Sequence, residues 1–261
     1  MIYKLAQSPI NPQRLYALAV QRSAASAPAR PGAYTSADGG AHWTLATPLS
    51  RFPNAAVYTL SVGAAGPEQL FVVDSTAGAH GLFESDDAGA HWRALPALPT
   101  SDAGGLVADA QDPARLWLWS RSSGLFQSAD AGETWAPIAG ITGGVYGLTQ
   151  AGALCYAPGD AGLYVSSDDG ATFQLVDQQD TFTTVIASAS APRHAYALGG
   201  TAVYTSLTSG ATWTATASLP QHPSLLAVDP TNALVAFVAS SYPVGVLKTS
   251  DGGQRWSIVF R

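Results

Sequence analysis

The stretch Ser128-Ala129-Asp130-Ala131-Gly132-Glu133-Thr134-Trp135 decides the fold, because the chain writes it six times. In pattern form it reads S/T-x-D-x-G-x-x-W/F. The other copies run from Ser36 to Trp43 through Asp38 and Gly40, from Ser85 to Trp92 through Asp87 and Gly89, and from Ser166 to Phe173 through Asp168 and Gly170. The last two run from Ser206 to Trp213 through Gly210, and from Thr249 to Trp256 through Asp251 and Gly253. The closing aromatics are 49, 43, 38, 40 and 43 residues apart. Self-similarity near 40 residues marks a repeat architecture, in which each repeat is one supersecondary unit.

Working outward from each copy, the flanking sequence breaks into strand-sized apolar runs. In the third repeat these are Gly105–Asp109, Arg115–Trp119, Gly124–Ser128 and Thr134–Ile138, with a turn at Asp112-Pro113. The fourth repeat reads Val145–Thr149, Ala153–Tyr156, Gly162–Ser166 and Thr172–Val176. Short runs punctuated by Gly, Pro, Asn and Asp indicate all-β structure, and no helical period competes. Four antiparallel strands per repeat, six times, predict a six-bladed β-propeller with the motif between strands three and four. A solenoid would need polar capping repeats, and neither end supplies one. The expected organisation is a single propeller domain over 1–261, with blades at about 1–49, 50–98, 99–141, 142–179, 180–219 and 220–261. Ring closure would rest on packing between blades one and six.

The motif has a structural reading at every position. Ser and Asp side chains accept hydrogen bonds from backbone N–H groups in tight turns. The glycine marks a left-handed backbone. The aromatic three residues later packs under the turn. One Asp per blade does not converge on one site, so these residues read as staples. Thr208 replaces the Asp in the fifth copy, and Phe173 replaces the Trp in the fourth.

Composition narrows the rest. Hydrophobic content of 47% against 11% charged residues excludes disorder. No run of 18 apolar residues spans a membrane. Cys155 stands alone, so no internal disulfide is available, and its place on a strand makes it a small buried hydrophobe. The net charge is −6, with no basic stripe for nucleic acid. The N-terminus Met1-Ile2-Tyr3-Lys4 lacks the apolar core of a signal peptide, leaving a cytoplasmic chain, or one with its leader removed, as the expectations.

The S-x-D-x-G-x-x-W pattern resembles the Asp-box, or bacterial neuraminidase repeat, of sialidases, the sortilin ectodomain, xyloglucan-active glucanases and photosystem II assembly-factor-like proteins. The resemblance covers nearly the whole chain, and five of six copies keep the Asp. It implies a propeller. It implies no particular activity, because in that family the boxes lie away from the active sites.

Function is therefore sought at the opposite end of each blade, in the loops joining strands two and three and in the joins between blades. Arg22, Arg30, Arg51 and Arg121 fall there, and arginine forks suit carboxylates and other anions. Arg51-Phe52-Pro53 is similar to the Arg-Ile-Pro element of sialidases. Asp74, Asp102, Asp160, Asp177 and Asp180 supply carboxylates on the same face, and Tyr242 is the one tyrosine read as a loop residue. A glycosidase needs two carboxyl groups across a sugar. The family's sialidases instead pair a Tyr nucleophile with a Glu, whereas Glu68, Glu84 and Glu133 fall on other turns or in strands. His42 and His91 repeat one offset before the aromatic and read as exposed turn residues. His80, His194 and His222 are isolated, so no metal site is expected, and no cofactor motif is present. Trp117 and Trp119 share a strand face and read as packing between blades.

No convergent acid, base and nucleophile can be assembled. The expected function is a non-catalytic propeller, a monomer, that binds a protein or glycan partner. Arg22, Arg30, Arg51, Arg121, Asp74, Asp160 and Tyr242 are the candidate contacts. The alternative is a glycoside hydrolase of the sialidase-like class acting on an anionic or oligomeric sugar.

Overall fold

The computed structural model describes residues 2–8, 11–21, 30–48, 58–62, 69–76, 79–109, 111–178, 181–218, 223–241 and 244–260. The first sheet is β1 (Ile2–Gln7), β2 (Leu15–Gln21), β3 (Arg30–Ser36) and β4 (Thr44–Pro48). The second is β5 (Tyr58–Val62), β6 (Leu70–Thr76), β7 (Ala79–Ser85) and β8 (Arg93–Ala94). The third is β9 (Ala103–Ala108), β10 (Leu116–Ser120), β11 (Gly124–Ser128) and β12 (Ala136–Pro137). The fourth is β13 (Thr149–Ala151), β14 (Leu154–Gly159), β15 (Gly162–Ser166) and β16 (Gln174–Asp177). The fifth is β17 (Thr184–Ser188), β18 (Ala191–Gly199), β19 (Ala202–Ser206) and β20 (Thr214–Ser218). The sixth is β21 (Pro223–Val228), β22 (Ala236–Ser241), β23 (Val244–Thr249) and β24 (Ser257–Phe260).

Each sheet is an antiparallel meander whose spatial order is its chain order, and the described residues hold no helix. The fold is a six-bladed β-propeller, as the repeat predicts. The chain divides into two compact units, Met1–Ser120 with Phe126–Pro137, and Arg121–Leu125 with Ile138–Arg261. Within the first unit β5 lies against both β1 and β9; within the second β17 lies against both β13 and β21. The first strand of each sheet is thus its inner strand.

Core residues sit between consecutive sheets. Phe71 and Leu82 pack with Leu106, Leu116 and Leu118. Tyr156 and Leu163 pack with Val185 and Ala197, and Tyr196 and Val203 pack with Leu226 and Val238. Strand alternation makes this possible, since every second side chain leaves the sheet on the same face. A second repeated aromatic, one residue into the apolar run of the second strand, escapes a search built on the turn motif. Its buried members are Tyr16, Phe71, Trp117, Tyr156 and Tyr196. Tyr156 Oη donates to the Pro192 carbonyl and Tyr196 Oη to the Ala233 carbonyl, each at 2.7 Å, tying one sheet to the next. Burial pushes both phenols up to about 12. Trp117 is fully buried, as its strand position predicts. Cys155 is buried on β14.

Strand boundaries differ from the sequence reading in several places. The outer strand expected over Thr134–Ile138 shrinks to the two residues of β12, and β8 is equally short. The register of the outermost pair shifts at the same place in the other sheets, for instance between Leu163 and Tyr164. The hydrogen bonds beyond it persist, from Leu95 N to Leu82 O and from Ile138 N to Leu125 O. A bulge interrupts these strands without ending their pairing. The strand expected over Val145–Thr149 begins only at Thr149, because Val145 instead bridges to Gly159.

The repeated turn is a relay of side-chain and backbone bonds. In the third sheet Ser128 Oγ donates to Asp130 Oδ1 at 2.7 Å and accepts from Gly132 N at 2.8 Å. Asp130 Oδ1 accepts from Thr134 N at 2.8 Å. Five turns share this pattern. In the fifth, Thr208 Oγ1 accepts from Thr212 N at 2.9 Å, so the hydroxyl does the carboxylate's work. The indole N–H of Trp43, Trp92 and Trp213 returns to the turn glycine's carbonyl at 3.0 Å. Phe173 fills the same place with no N–H to give. The glycine is left-handed, as expected, and so is the residue before it: Ala131 has φ 57° and Gly132 φ 92°.

The carboxylates in these turns are held low. Asp38 and Asp87 sit at about 2, chiefly through the backbone N–H of His42 and His91, while Asp130 and Asp168 sit at about 2 chiefly through the hydroxyls of Thr134 and Thr172. His42 and His91 are exposed, each 2.6 Å from its turn's Asp.

Two outcomes follow. A Cβ on Gly132 would stand 2.9 Å from Leu82 Cδ2 at φ 92°, so Gly132→Ala should cost about 1–3 kcal/mol in a denaturant titration. The four depressed carboxyls stabilise the fold above their ordinary value of 3.8, and that contribution disappears as pH falls through about 2. Stability should therefore fall with acid between about pH 4 and 2, and Asp130→Asn should flatten that slope when unfolding is followed by circular dichroism.

Candidate functional site

In a four-stranded meander the strand two–three turn and the link to the next sheet leave from the end opposite the repeated turn. Three described elements of the second unit meet there: the turn 121–123, the turn around Asp160, and the link preceding β13. The link is fastened to the β14–β15 hairpin by backbone bonds, from Asp160 N to Gly144 O at 2.9 Å and from Tyr146 N to Pro158 O at 2.8 Å. Gly144 is required by close approach, since a Cβ there would fall 1.9 Å from the Arg121 carbonyl oxygen. Tyr164, buried, anchors the start of the link by accepting from Thr142 N at 3.0 Å.

Asp160 is the polar centre of this arrangement. Its Oδ1 accepts a hydrogen bond from Tyr146 Oη, and its Oδ2 accepts from Gly144 N at 2.7 Å. These two donors, the phenol first, hold the Asp160 carboxyl below its ordinary range. The same hydrogen bond, then burial and the Asp160 charge, push the Tyr146 phenol up, with Arg121 opposing. Asp160 is thus an ionised acceptor and Tyr146 a protonated donor at neutral pH. Neither state suits a general acid or a phenolate nucleophile. The cluster presents the Tyr146 ring, 39% exposed, beside an exposed Arg121 that makes no ion pair with a described residue. An aromatic face next to a guanidinium suits recognition of an anionic group on an apolar carrier.

Of the residues singled out from sequence, the structure brings Arg121 and Asp160 together. Arg30 and Asp74 are strand residues, Arg30 opening β3 opposite Gln21 and Asp74 lying in β6 opposite Tyr58 and Gly81, not in the loops expected. Pairing extends those hairpins further than the apolar runs indicate. Arg22, Arg51, Tyr242 and Asp180 lie outside the described residues. Asp102 accepts from the hydroxyls of Thr100 and Ser120, and Asp177 closes β16. Tyr146 was hidden by its placement on a strand, so Tyr242 is not the one loop tyrosine. The adjacent Gly143-Gly144 pair was the available signal, since it breaks the strand before Tyr146. Glu84 is buried and paired with Arg93 at 2.5 Å, which also reaches Glu133 at 2.8 Å. Among the described residues no three His, Cys, Asp or Glu side chains gather as a metal site requires. No described helix is long and apolar enough to cross a membrane.

No protein-family model and no curated protein sequence matches the chain. Solved structures do. A GH74 xyloglucanase from Xanthomonas campestris is similar with TM-score 0.76 and 20% identity, over 99% of this chain and 45% of that one. A GH74 enzyme from Niastella koreensis is similar with TM-score 0.75 and 18% identity, over 99% and 45%. YCF48, in a structure bound to D1 peptide, is similar with TM-score 0.68 and 15% identity, over 98% and 85%. This chain spans less than half the length of the two GH74 chains. At such identities the likeness establishes the fold.

The hydrogen bond from Tyr146 to Asp160 is directly measurable. In a Cζ-labelled tyrosine NMR titration, Tyr146 should titrate above the ordinary phenol value of 10.0, and Asp160→Asn should bring it down. Tyr146→Phe should in turn raise the Asp160 carboxyl toward 3.8.

Proposed function

We propose that the chain is a non-catalytic Asp-box propeller, one domain over 1–261, that holds a protein partner at the end of the sheets opposite the repeated turns. The observation that carries the reading is the commitment of Asp160. Both of its oxygens fasten the link before β13, so this carboxylate is structural and Arg121 is left for a ligand. A partner segment carrying a carboxylate beside an apolar side chain would pair with Arg121 and cover the Tyr146 ring. The fold likeness to YCF48 bound to D1 peptide, over 85% of that chain, favours a peptide partner over a glycan. Arg22, Arg30, Arg51, Asp74 and Tyr242 stand as proposed contacts from the sequence alone, and a monomer suffices for binding at Arg121.

A glycoside hydrolase acting on an anionic or oligomeric sugar is the second reading, favoured by the fold likeness to the GH74 enzymes. Its difficulty is chemical. Glycoside hydrolysis by two carboxyl groups needs one of them protonated, roughly 5–9.5 Å from the other. Asp160 is held ionised by Tyr146 and Gly144.

Two measurements separate the readings. A fluorogenic glycoside panel should show no turnover. Selection from a displayed peptide library should enrich acidic peptides whose binding weakens about tenfold or more in Arg121→Ala and Tyr146→Ala. Turnover of any glycoside that Asp160→Asn abolishes would replace the binding reading with the enzymatic one.

A further inference from the structure

The repeat supplies its own control for a second site, at the end of the sheets that carries the repeated turns. In the second sheet Phe71 pairs with Glu84, and Glu84 with Arg93. In the fifth sheet the same register pairs Tyr196 with Thr205, and Thr205 with Thr214. Two residues before each buried aromatic stand Gln69 and His194, and the sixth residue of the following turn is Glu133 in one case and Gln254 in the other. Around the second sheet these positions form a closed network. Gln69 Nε2 donates to Glu84 at 2.5 Å, and Arg93 bridges Glu84 and Glu133. Only a cavity of about 150 Å³ remains beside Glu84 and Arg93.

Around the fifth sheet the equivalent space is open. His194, Thr205, Thr214 and Gln254 line a groove of about 630 Å³ instead of filling it. His194 is 7% exposed, its ring stacks on Tyr196 at 4.7 Å, and its Nε2 has no hydrogen-bond partner among the described residues. Burial holds the imidazole below its ordinary range, with the Gly252 backbone opposing, so it is neutral at neutral pH. A buried neutral imidazole whose Nε2 is left unbonded carries a desolvation cost. Leu207 and Leu234, 70% and 50% exposed, add apolar surface to the same groove.

A second groove, of about 640 Å³, lies between the fourth and fifth sheets and shares Thr208 with the first. Its polar lining is hydroxyl and amide, from Ser167, Thr172, Gln174 and Ser209, with Arg193 its one charged residue, as Asp251 is the one carboxylate of the first groove. Thr208 is the position where the other five turns carry an Asp. The crossing point between the two grooves is therefore uncharged, where an ionised carboxylate would otherwise stand.

We propose that the two grooves form one extended site, crossing the fifth repeated turn at Thr208, for a neutral oligosaccharide. Hydroxyls and amides that both donate and accept match the hydroxyls of a sugar. The exposed leucines suit its C–H faces. No cluster of cations is present to select an acidic sugar. All six sheets end in an outer strand with a free edge, so backbone pairing with a peptide would not single out these two grooves. What distinguishes them from the network at the second sheet is the change at the paired positions from Glu84, Arg93 and Glu133 to Thr205, Thr214 and Gln254. The site is separate from the Arg121 end and does not depend on the function proposed there.

The test uses the full chain in isothermal titration with cellohexaose, xylohexaose and mannohexaose, alongside hexagalacturonic acid and an extended neutral hexapeptide. At least one neutral hexaose should bind with a dissociation constant below about 1 mM. Thr208→Asp restores the residue of the other five turns, so it should fold, and it should weaken that binding about tenfold or more. The triple variant Thr205→Glu, Thr214→Arg and Gln254→Glu copies the second sheet's network and should abolish binding while thermal unfolding stays cooperative. If the triple variant does not fold, Thr208→Asp decides alone. Absence of binding by every neutral hexaose at about 10 mM would overturn the proposal. So would binding unchanged in Thr208→Asp, or hexapeptide binding that Thr208→Asp weakens in place of sugar binding.

Discussion

The hydrogen bond from a serine or threonine hydroxyl to its neighbouring carboxylate is the interaction on which each blade depends. The same hydroxyl oxygen accepts the glycine N–H, and the carboxylate takes the backbone N–H four residues on, as in Ser128, Asp130, Gly132 and Thr134. A hairpin this tight turns two successive residues left-handed; the first gives its N–H to a backbone carbonyl, as Ala131 N to Ala114 O at 2.8 Å, while Gly132 N and Thr134 N are left without ladder partners. Buried backbone donors must be satisfied. The relay satisfies them locally, so each outer strand starts at a fixed place whatever its own sequence offers. That independence explains why outer strands as different as β8 and β24 occur in one fold.

Successive sheets are then fixed by what lies between them. Leucine, valine and aromatic side chains pack from facing sheets, and two phenols reach across to backbone carbonyls of the next sheet. Tyr156 aims its one polar atom at the start of the next sheet's second strand and Tyr196 at the turn just before one, so the repeat controls spacing and orientation together. With the turn ends and the sheet interfaces specified by repeated residues, two places among the described residues set individual sheets apart. One is the opposite end, where Arg121, Tyr146 and Asp160 meet. The other is the row of side chains across strands two, three and four, charged and closed in the second sheet, neutral and open in the fifth.

The turn motif was legible because its residues act on partners within four positions in the chain. Ser128, Asp130 and Gly132 carry their roles in their spacing. Thr208 was legible for the same reason, as a hydroxyl placed where it accepts the same N–H. The second-strand aromatics were present in the sequence but unmarked, because Tyr156 and Tyr196 bond to carbonyls 36 and 37 residues away. The candidate site was less legible still. Asp160 and Arg121 could be assigned to one end of the blades from strand order. Tyr146 could not, because a Val-Tyr pair reads as strand until Val145 is seen bridged to Gly159.

By itself the sequence determined the all-β class, the number of sheets, the antiparallel order within each and the structural meaning of the sixfold turn. These follow from local periods and from short-range backbone satisfaction, which leave a repeating trace in the chain. Tertiary structure alone decided that Asp160 is occupied by Tyr146 and Gly144, that Arg121 stands without an ion pair among the described residues, and that His194 is buried beside an open groove. Those outcomes depend on distances between segments that are far apart in the chain. Such distances are set by how sheets pack and leave no periodic mark in the residues concerned.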